Sequence, residues 1–259
     1  MSVKRSRSGS RVLAVLEAIA HYQPVGVTEL ARRLNDDKSA VQRAIMTLAD
    51  DGWLRPTTSK PTRWQLSAHI LTLAYSAHLS NDLAQRARPV LEALHYESGE
   101  TVLMNIPDRQ RFVVLDVLES AQMLRTTPYP GMEVPVRKSA TSRAVLAYLT
   151  PAQREEFLGE APNEEQLQAL EETLQRGYAI SAGDVFSGTT QIAAPVFDQR
   201  GIPEAAIVLS APSARLNEAR HDWAGGLVKQ AARKLSRGRP QIAGLTAPAA
   251  ESAEEAITP

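Results

Sequence analysis

Three times in the first fifty residues, apolar side chains recur at i, i+3, i+4 and i+7, the spacing of one helix face. Val12, Val15, Leu16 and Ile19 form the first stripe, widened by Leu13 and Ala20. Val27, Leu30, Ala31 and Leu34 form the second, and Val41, Ala44, Ile45 and Leu48 the third. Pro24 stops the first helix, because proline has no N–H to donate and its ring clashes with the preceding turn. Thr28 reads as the N-cap of the second helix, and Asn35-Asp36-Asp37 as turn and cap chemistry before the third. Gly52 suits the left-handed residue that ends the third helix. The period then changes to two. Trp53-Leu54-Arg55 and Arg63-Trp64-Gln65-Leu66 flank Pro56-Thr57-Thr58-Ser59-Lys60-Pro61, which predicts a short hairpin. Two helices joined by a tight turn, with a hairpin after them, predict a winged helix-turn-helix over residues 1–68.

The third helix has its apolar stripe on one side, so Ser39, Arg43 and Met46 face the other way, flanked by Lys38, Gln42 and Thr47. These side chains suit a DNA major groove: Arg pairs with guanine O6 and N7, Gln with adenine N6 and N7, and Lys38 near the helix start suits a phosphate. Arg55, Lys60 and Arg63 place cations on the wing, and Lys4, Arg5, Arg7 and Arg11 read as a basic arm for a neighbouring groove. A winged helix of this shape also serves protein contacts, so the helices alone leave that alternative open.

After the wing, Ile70, Leu71, Leu73, Ala74 and Ala77 predict a mostly apolar linker helix over 69–80. So much apolar surface needs a partner, either a second subunit or the rest of the chain. Asn81-Asp82 restarts the chain into a helix with Leu83, Ala87, Val90, Leu91 and Leu94, bent at Pro89. From Gly99 strands and helices mix. Hairpins are expected at Thr101–Ile106 with Phe112–Val117 and at Ile192–Phe197 with Ile202–Ser210, and a further strand at Met123–Thr126. Helices are expected at Ser139–Leu149, Pro151–Leu158, Glu164–Arg176 and Leu216–Ser236. This order predicts an α+β domain over 81–240. The Ala/Pro/Glu-rich segment 241–259 reads as a disordered tail.

Composition sharpens the picture in two places. The 29 basic and 29 acidic residues cancel, yet residues 1–68 carry 11 Lys/Arg against 6 Asp/Glu, so the excess of positive charge sits at the end expected to meet nucleic acid. There is no cysteine, which excludes disulfides, thiolate nucleophiles and cysteine-ligated zinc. His21, His69, His78, His95 and His221 show no metal-ligand spacing, and no phosphate loop or dinucleotide fingerprint is present. No metal or cofactor is therefore expected, and an enzyme is the less favoured class. The basic N-terminus lacks a long apolar stretch behind it and no membrane-spanning run occurs, so the cytoplasm is the expected location.

Ser139, Ala140 and Thr141 open one of the expected helices. Backbone N–H groups there, with the Ser139 and Thr141 hydroxyls, would suit a carboxylate, but an ordinary N-cap at Ser139 explains the same residues.

Three segments carry a resemblance to a known family: Val27-Thr28-Glu29-Leu30-Ala31-Arg32-Arg33-Leu34, Lys38-Ser39-Ala40-Val41-Gln42-Arg43, and Thr47-Leu48-Ala49-Asp50-Asp51-Gly52-Trp53-Leu54. With Arg63-Trp64-Gln65-Leu66 they resemble the winged helix of the IclR family of bacterial transcription regulators. Gly177-Tyr178, Gln191-Ile192-Ala193-Ala194-Pro195 and Leu209-Ser210-Ala211-Pro212 resemble the same family's C-terminal part. The resemblance implies a GAF-like effector domain, a dimerising linker helix, a homodimer or tetramer, palindromic operator DNA as partner, and a small organic acid as effector. Carried over by position, it implies a ligand cavity bounded by Met123, Thr126, Ala140, Thr141 and Ser181. Thr189, Gln191, Val208 and Ser210 complete the implied lining. Gln191 stands where the family often has cysteine and Ser181 where it often has an acidic residue, so the ligand is expected to differ.

Overall fold

The structure is a computed structural model, and it describes residues 6–79 and 82–240. Lys4, Arg5 and the Ala/Pro/Glu-rich tail lie outside the described residues. Contacts divide the chain into two compact units at the 81/82 boundary.

In the first unit, helices α1 (Arg7–Tyr22), α2 (Val27–Leu34) and α3 (Lys38–Asp50) precede strands β1 (Leu54–Pro56) and β2 (Trp64–Leu66), and α4 (His69–Leu79) follows. The three expected stripes meet in one core. Val15, Ile19, Leu30, Val41, Ile45 and Leu48 are buried there with Leu54, and Val12, Leu16, Val27 and Leu34 pack around its edge. Leu13 and Ala20 do not belong to the stripe. Each follows a core-facing residue by one position, a turn of about 100° out of the core, and Leu13 is 61% exposed.

Helix α1 begins five residues before the first apolar position, because the Ser6 hydroxyl accepts the Gly9 N–H at 3.2 Å and caps it. Thr28 is not the cap of α2. Gly26 occupies that position, because Val25 extends to exchange two backbone hydrogen bonds with Trp64, at 2.8 and 3.1 Å, and so joins the wing. Asp37 caps α3 through the Ala40 N–H at 2.9 Å, and Gly52 follows that helix at φ +79°, where a side chain would be strained.

The second unit is a six-stranded antiparallel sheet in the order β5-β4-β3-β8-β7-β6. Its strands are β3 (Thr101–Asp108), β4 (Arg111–Leu118), β5 (Glu133–Val134), β6 (Ala179–Ala182), β7 (Thr189–Phe197) and β8 (Pro203–Pro212). Period-two alternation divides its side chains between two cores. Val102, Met104, Ile192, Ile207 and Leu209 face helices α5 (Asp82–Ser98) and α9 (His221–Leu235). Leu103, Ala193, Ala206 and Val208 face α6 (Ala140–Leu146) on the other side. Helices α7 (Pro151–Leu158) and α8 (Glu164–Arg176) complete the unit, both opened by capping boxes.

Both expected hairpins form, with strands reaching further than their apolar cores. The helix expected at Ser139–Leu149 is shorter, and the closing helix starts at His221 after a 3₁₀ turn at Glu218–Arg220. No strand forms at Met123–Thr126. That segment runs as bends held from outside: Arg215 Nη1 donates to the Leu124 carbonyl at 2.9 Å, while Glu100 grips the same guanidinium through both oxygens at 2.6 and 2.7 Å. Gly225 of α9 packs face-on to the Tyr178 ring, and a β-carbon there would stand 2.4 Å from it, so only glycine lets helix and ring meet.

Candidate functional site

The first candidate surface is the outer face of α3. Lys38, Ser39, Gln42, Arg43 and Thr47 are all exposed, because Val41, Ala44, Ile45 and Leu48 consume the inner face. The polar row is internally ordered. Asp37 accepts the Ser39 hydroxyl at 2.5 Å, Arg43 Nη1 lies 3.3 Å from Ser39 Oγ, and Thr47 donates to the Arg43 carbonyl at 3.1 Å. The Ser39 hydroxyl, then the Ala40 N–H, hold the Asp37 carboxyl below the usual carboxylate range. Arg43 makes no ion pair among the described residues, so its charge is available to a partner.

The other cations expected to face DNA divide into two groups. Arg55 and Lys60 are exposed on the wing. Arg63 is also exposed, but its guanidinium donates to the Pro24 carbonyl at 3.0 Å and lies 3.9 Å from Glu29, which ties it to the fold. Arg11 is not part of an arm. It lies within α1 and donates through Nε to Asp36 at 2.5 Å, so its charge is neutralised at the turn between α2 and α3. That bond, then the Asp37 N–H, holds the Asp36 carboxyl below its ordinary value. Arg7 is likewise the first residue of α1.

The second candidate site is a cavity of about 400 Å³ on the α6 side of the sheet, within the size range of small-molecule pockets. Leu103, Asn105, Val114, Gln191 and Ser210 line it from the strands, and Arg125, Thr126 and Tyr129 from the segment after β4. Phe186 lines it from the segment before β7, and Thr189 from the start of that strand. Of the nine residues expected around a ligand, the structure brings together four: Thr126, Thr189, Gln191 and Ser210. Met123 is 98% exposed and outside the lining, since no strand carries it inward. Ala140 and Val208 are buried in the apolar cluster beneath α6. Ser181 is buried one strand beyond, opposite Gln191.

Thr141 also lies outside the lining, and its hydroxyl accepts the Asn105 amide at 2.6 Å. The turn before it is an ordinary cap, because the Ser139 hydroxyl takes the Ser142 N–H at 3.2 Å. Arg143 turns away to the Ile180 carbonyl and to Asp184. The charged residue that does line the cavity is Arg125, with Glu119 on its Nε at 3.0 Å. Sequence reading missed Arg125 and Asn105. Period-two counting from Leu103 would have found Asn105; nothing local marked Arg125, which sits in an irregular segment.

Elsewhere, Tyr178 donates to Asp222 at 2.6 Å, and burial, reinforced by that bond, pushes its hydroxyl up to about 12. It is a structural phenol, protonated at any physiological pH. Among the described residues no group of three His, Asp or Glu side chains could hold a metal ion, and no helix is long and apolar enough to cross a membrane.

Comparison with known proteins agrees with this arrangement. Residues 9–57 match the model of the IclR helix-turn-helix domain, and residues 76–237 that of the bacterial transcriptional regulator IclR C-terminal domain. The chain is 30% identical to the HTH-type transcriptional regulator BhcR of Paracoccus denitrificans, over 90% of this chain and 87% of that one. It is 28% identical to the transcriptional repressor IclR of Escherichia coli, over 89% of each, and 26% identical to the acetate operon repressor of Salmonella typhimurium, again over 89% of each. Among solved structures, an IclR-type transcriptional regulator from Alicyclobacillus acidocaldarius superposes with a TM-score of 0.78 at 23% identity, covering 90% of this chain and 98% of the other.

Proposed function

The chain belongs to the IclR family of bacterial transcriptional regulators, DNA-binding proteins rather than enzymes, and from that premise we propose that it is a ligand-controlled regulator of a catabolic operon. In this reading it acts in the cytoplasm as a homo-oligomer. Two copies of α3 read the halves of a palindromic operator in successive major grooves, and a small organic acid in the cavity of the second unit alters operator occupancy. The observation that carries the reading is the unpaired, outward-facing Arg43 in the row with Ser39, Gln42 and Thr47. The relative named for the acetate operon supports the link to carbon catabolism. An effector shifts occupancy only by as much as its affinity differs between the DNA-bound and free states.

The test is a titration of the purified protein against DNA from upstream of its own gene, over a range of salt, with and without a panel of small carboxylic acids. Specific binding with a steep negative salt slope, altered by at least one acid that also raises the melting temperature, is the expected result. A ligand at 100 times its Kd adds about 2.7 kcal/mol, well within detection. Salt-independent or absent binding to that DNA would remove the operator from the reading, and an acid that is turned over would remove the regulator.

A further inference from the structure

Two residues that line the cavity each carry a buried polar atom with no hydrogen-bond partner among the described residues: the Asn105 amide oxygen and the Ser210 hydroxyl. Both side chains are 1% exposed, so water is not freely available to either. A buried polar group left without a partner costs its full desolvation, and such groups are rare unless something unseen completes them. Their spacing follows from the strand register. Asn105 stands opposite Ala206, and Ser210 lies four residues further along β8, opposite Thr101. At about 3.4 Å per residue, roughly 14 Å of strand separates the two backbone positions, with Leu103 and Val208 between them. One small functional group cannot serve both.

The two ends differ in chemistry. At the Ser210 end, Gln191 is its cross-strand neighbour, and Thr126 is pinned there twice: its carbonyl accepts the Thr101 hydroxyl at 3.1 Å and its own hydroxyl donates to the Ser210 carbonyl at 3.4 Å. Arg125, next in the chain, is the charged residue of the lining; Glu119 takes its Nε and the Gln122 carbonyl its Nη1, and the remaining Nη2 group suits a carboxylate at this end. At the other end Asn105 sits opposite Val114, with Met132 and Val134 beside the same part of the cavity and no charge. One side of its amide is already committed to Thr141. Whichever way the amide is turned, a hydroxyl matches the free atom, since it both donates and accepts.

We propose that the cavity selects an elongated hydroxy acid: a carboxylate held by Arg125, Gln191 and Ser210, an apolar body against Leu103 and Val114, and a distal hydroxyl on Asn105. The proposal rests on the reading of this cavity as the effector site and deepens it by naming the ligand's second functional group and its distance from the first. Acids of two or three carbons are too short to reach both ends.

The test is calorimetric titration of the full chain with ω-hydroxyalkanoates of four to eight carbons, with their parent alkanoates, and with glyoxylate and pyruvate. At the best length, the hydroxy acid binds about tenfold more tightly than its parent, the usual scale of one buried hydrogen bond. Asn105→Leu abolishes that preference while leaving binding of the parent acid, whereas Arg125→Gln weakens both members of each pair alike. Equal affinity of hydroxy and parent acids at every length, or tightest binding by glyoxylate or pyruvate, would overturn the proposal and leave the effector reading standing. No binding by any acid would overturn both. The comparison of paired ligands on the unmodified protein decides the matter even where Asn105→Leu does not fold.

Discussion

At the scale of single residues, two arginines of the first unit have opposite fates. Arg43 projects from α3 with a hydrogen bond to the Ser39 hydroxyl and no ion pair among the described residues, and Arg11 is consumed by Asp36. Arg43→Ala is expected to weaken binding to the specific operator by about 1–3 kcal/mol and to relax base preference at one position. Fluorescence anisotropy on specific and scrambled duplexes measures it, and an equal loss on both would show that Arg43 meets only phosphate. Arg11→Ala is expected to act on stability instead. Because Arg11 holds Asp36 below its ordinary pKa, the pair stabilises the fold at and above the ordinary carboxylate range and loses its effect as pH falls through the lowered value. The melting temperature of Arg11→Ala should therefore trail the parent at pH 7 and converge with it in acid, with the salt slope of DNA binding unchanged. A deficit that persists undiminished at low pH would mean that Arg11 acts through packing.

At the scale of elements, α4 presents the clearest unmet demand. Leu71 and Tyr75 lie one turn apart on the same face and are 69% and 63% exposed, and Leu73 is exposed on the opposite side of the helix. Replacing both Leu71 and Tyr75 with Glu is expected to lower the solution mass from oligomer to monomer at unchanged helix content, read by light scattering and circular dichroism. An unchanged mass would remove α4 from any contact between copies. The elements themselves were largely legible. The i, i+3, i+4, i+7 stripes located three helices because nothing but burial imposes that spacing, and the polar breaks between Ile106 and Phe112 and between Phe197 and Ile202 punctuated the strands. What was not legible depends on distant partners. β5 is two residues long and exists because Phe112 and Val113 of β4 offer it an edge. The cap of α2 moved because Trp64, nearly forty residues away, draws Val25 into the wing. Arg11 read as a free cation because its acidic partner is 25 positions distant.

At the scale of the whole molecule, two sites occupy two units: an ordered polar ridge on α3 in one, and a cavity with unlike ends in the other. Placing the cavity's residues needed the sheet's register, which no local pattern encodes; Thr189, Gln191 and Ser210 came together because β7 and β8 pair in that register. The same sheet has a further consequence. It is one backbone layer thick, so residues of its strands that line the cavity are bonded to ones that press on the far side: Leu103 to Val102 and Met104, Ser210 to Leu209. Those neighbours rest in the core shared with Leu91 and Leu94 of α5, the helix with which the second unit begins. A densely packed interior has no slack to absorb displaced volume. A ligand that filled the chamber would thus load the sheet as a diaphragm and reach α5 as pressure through it, without ever touching that helix.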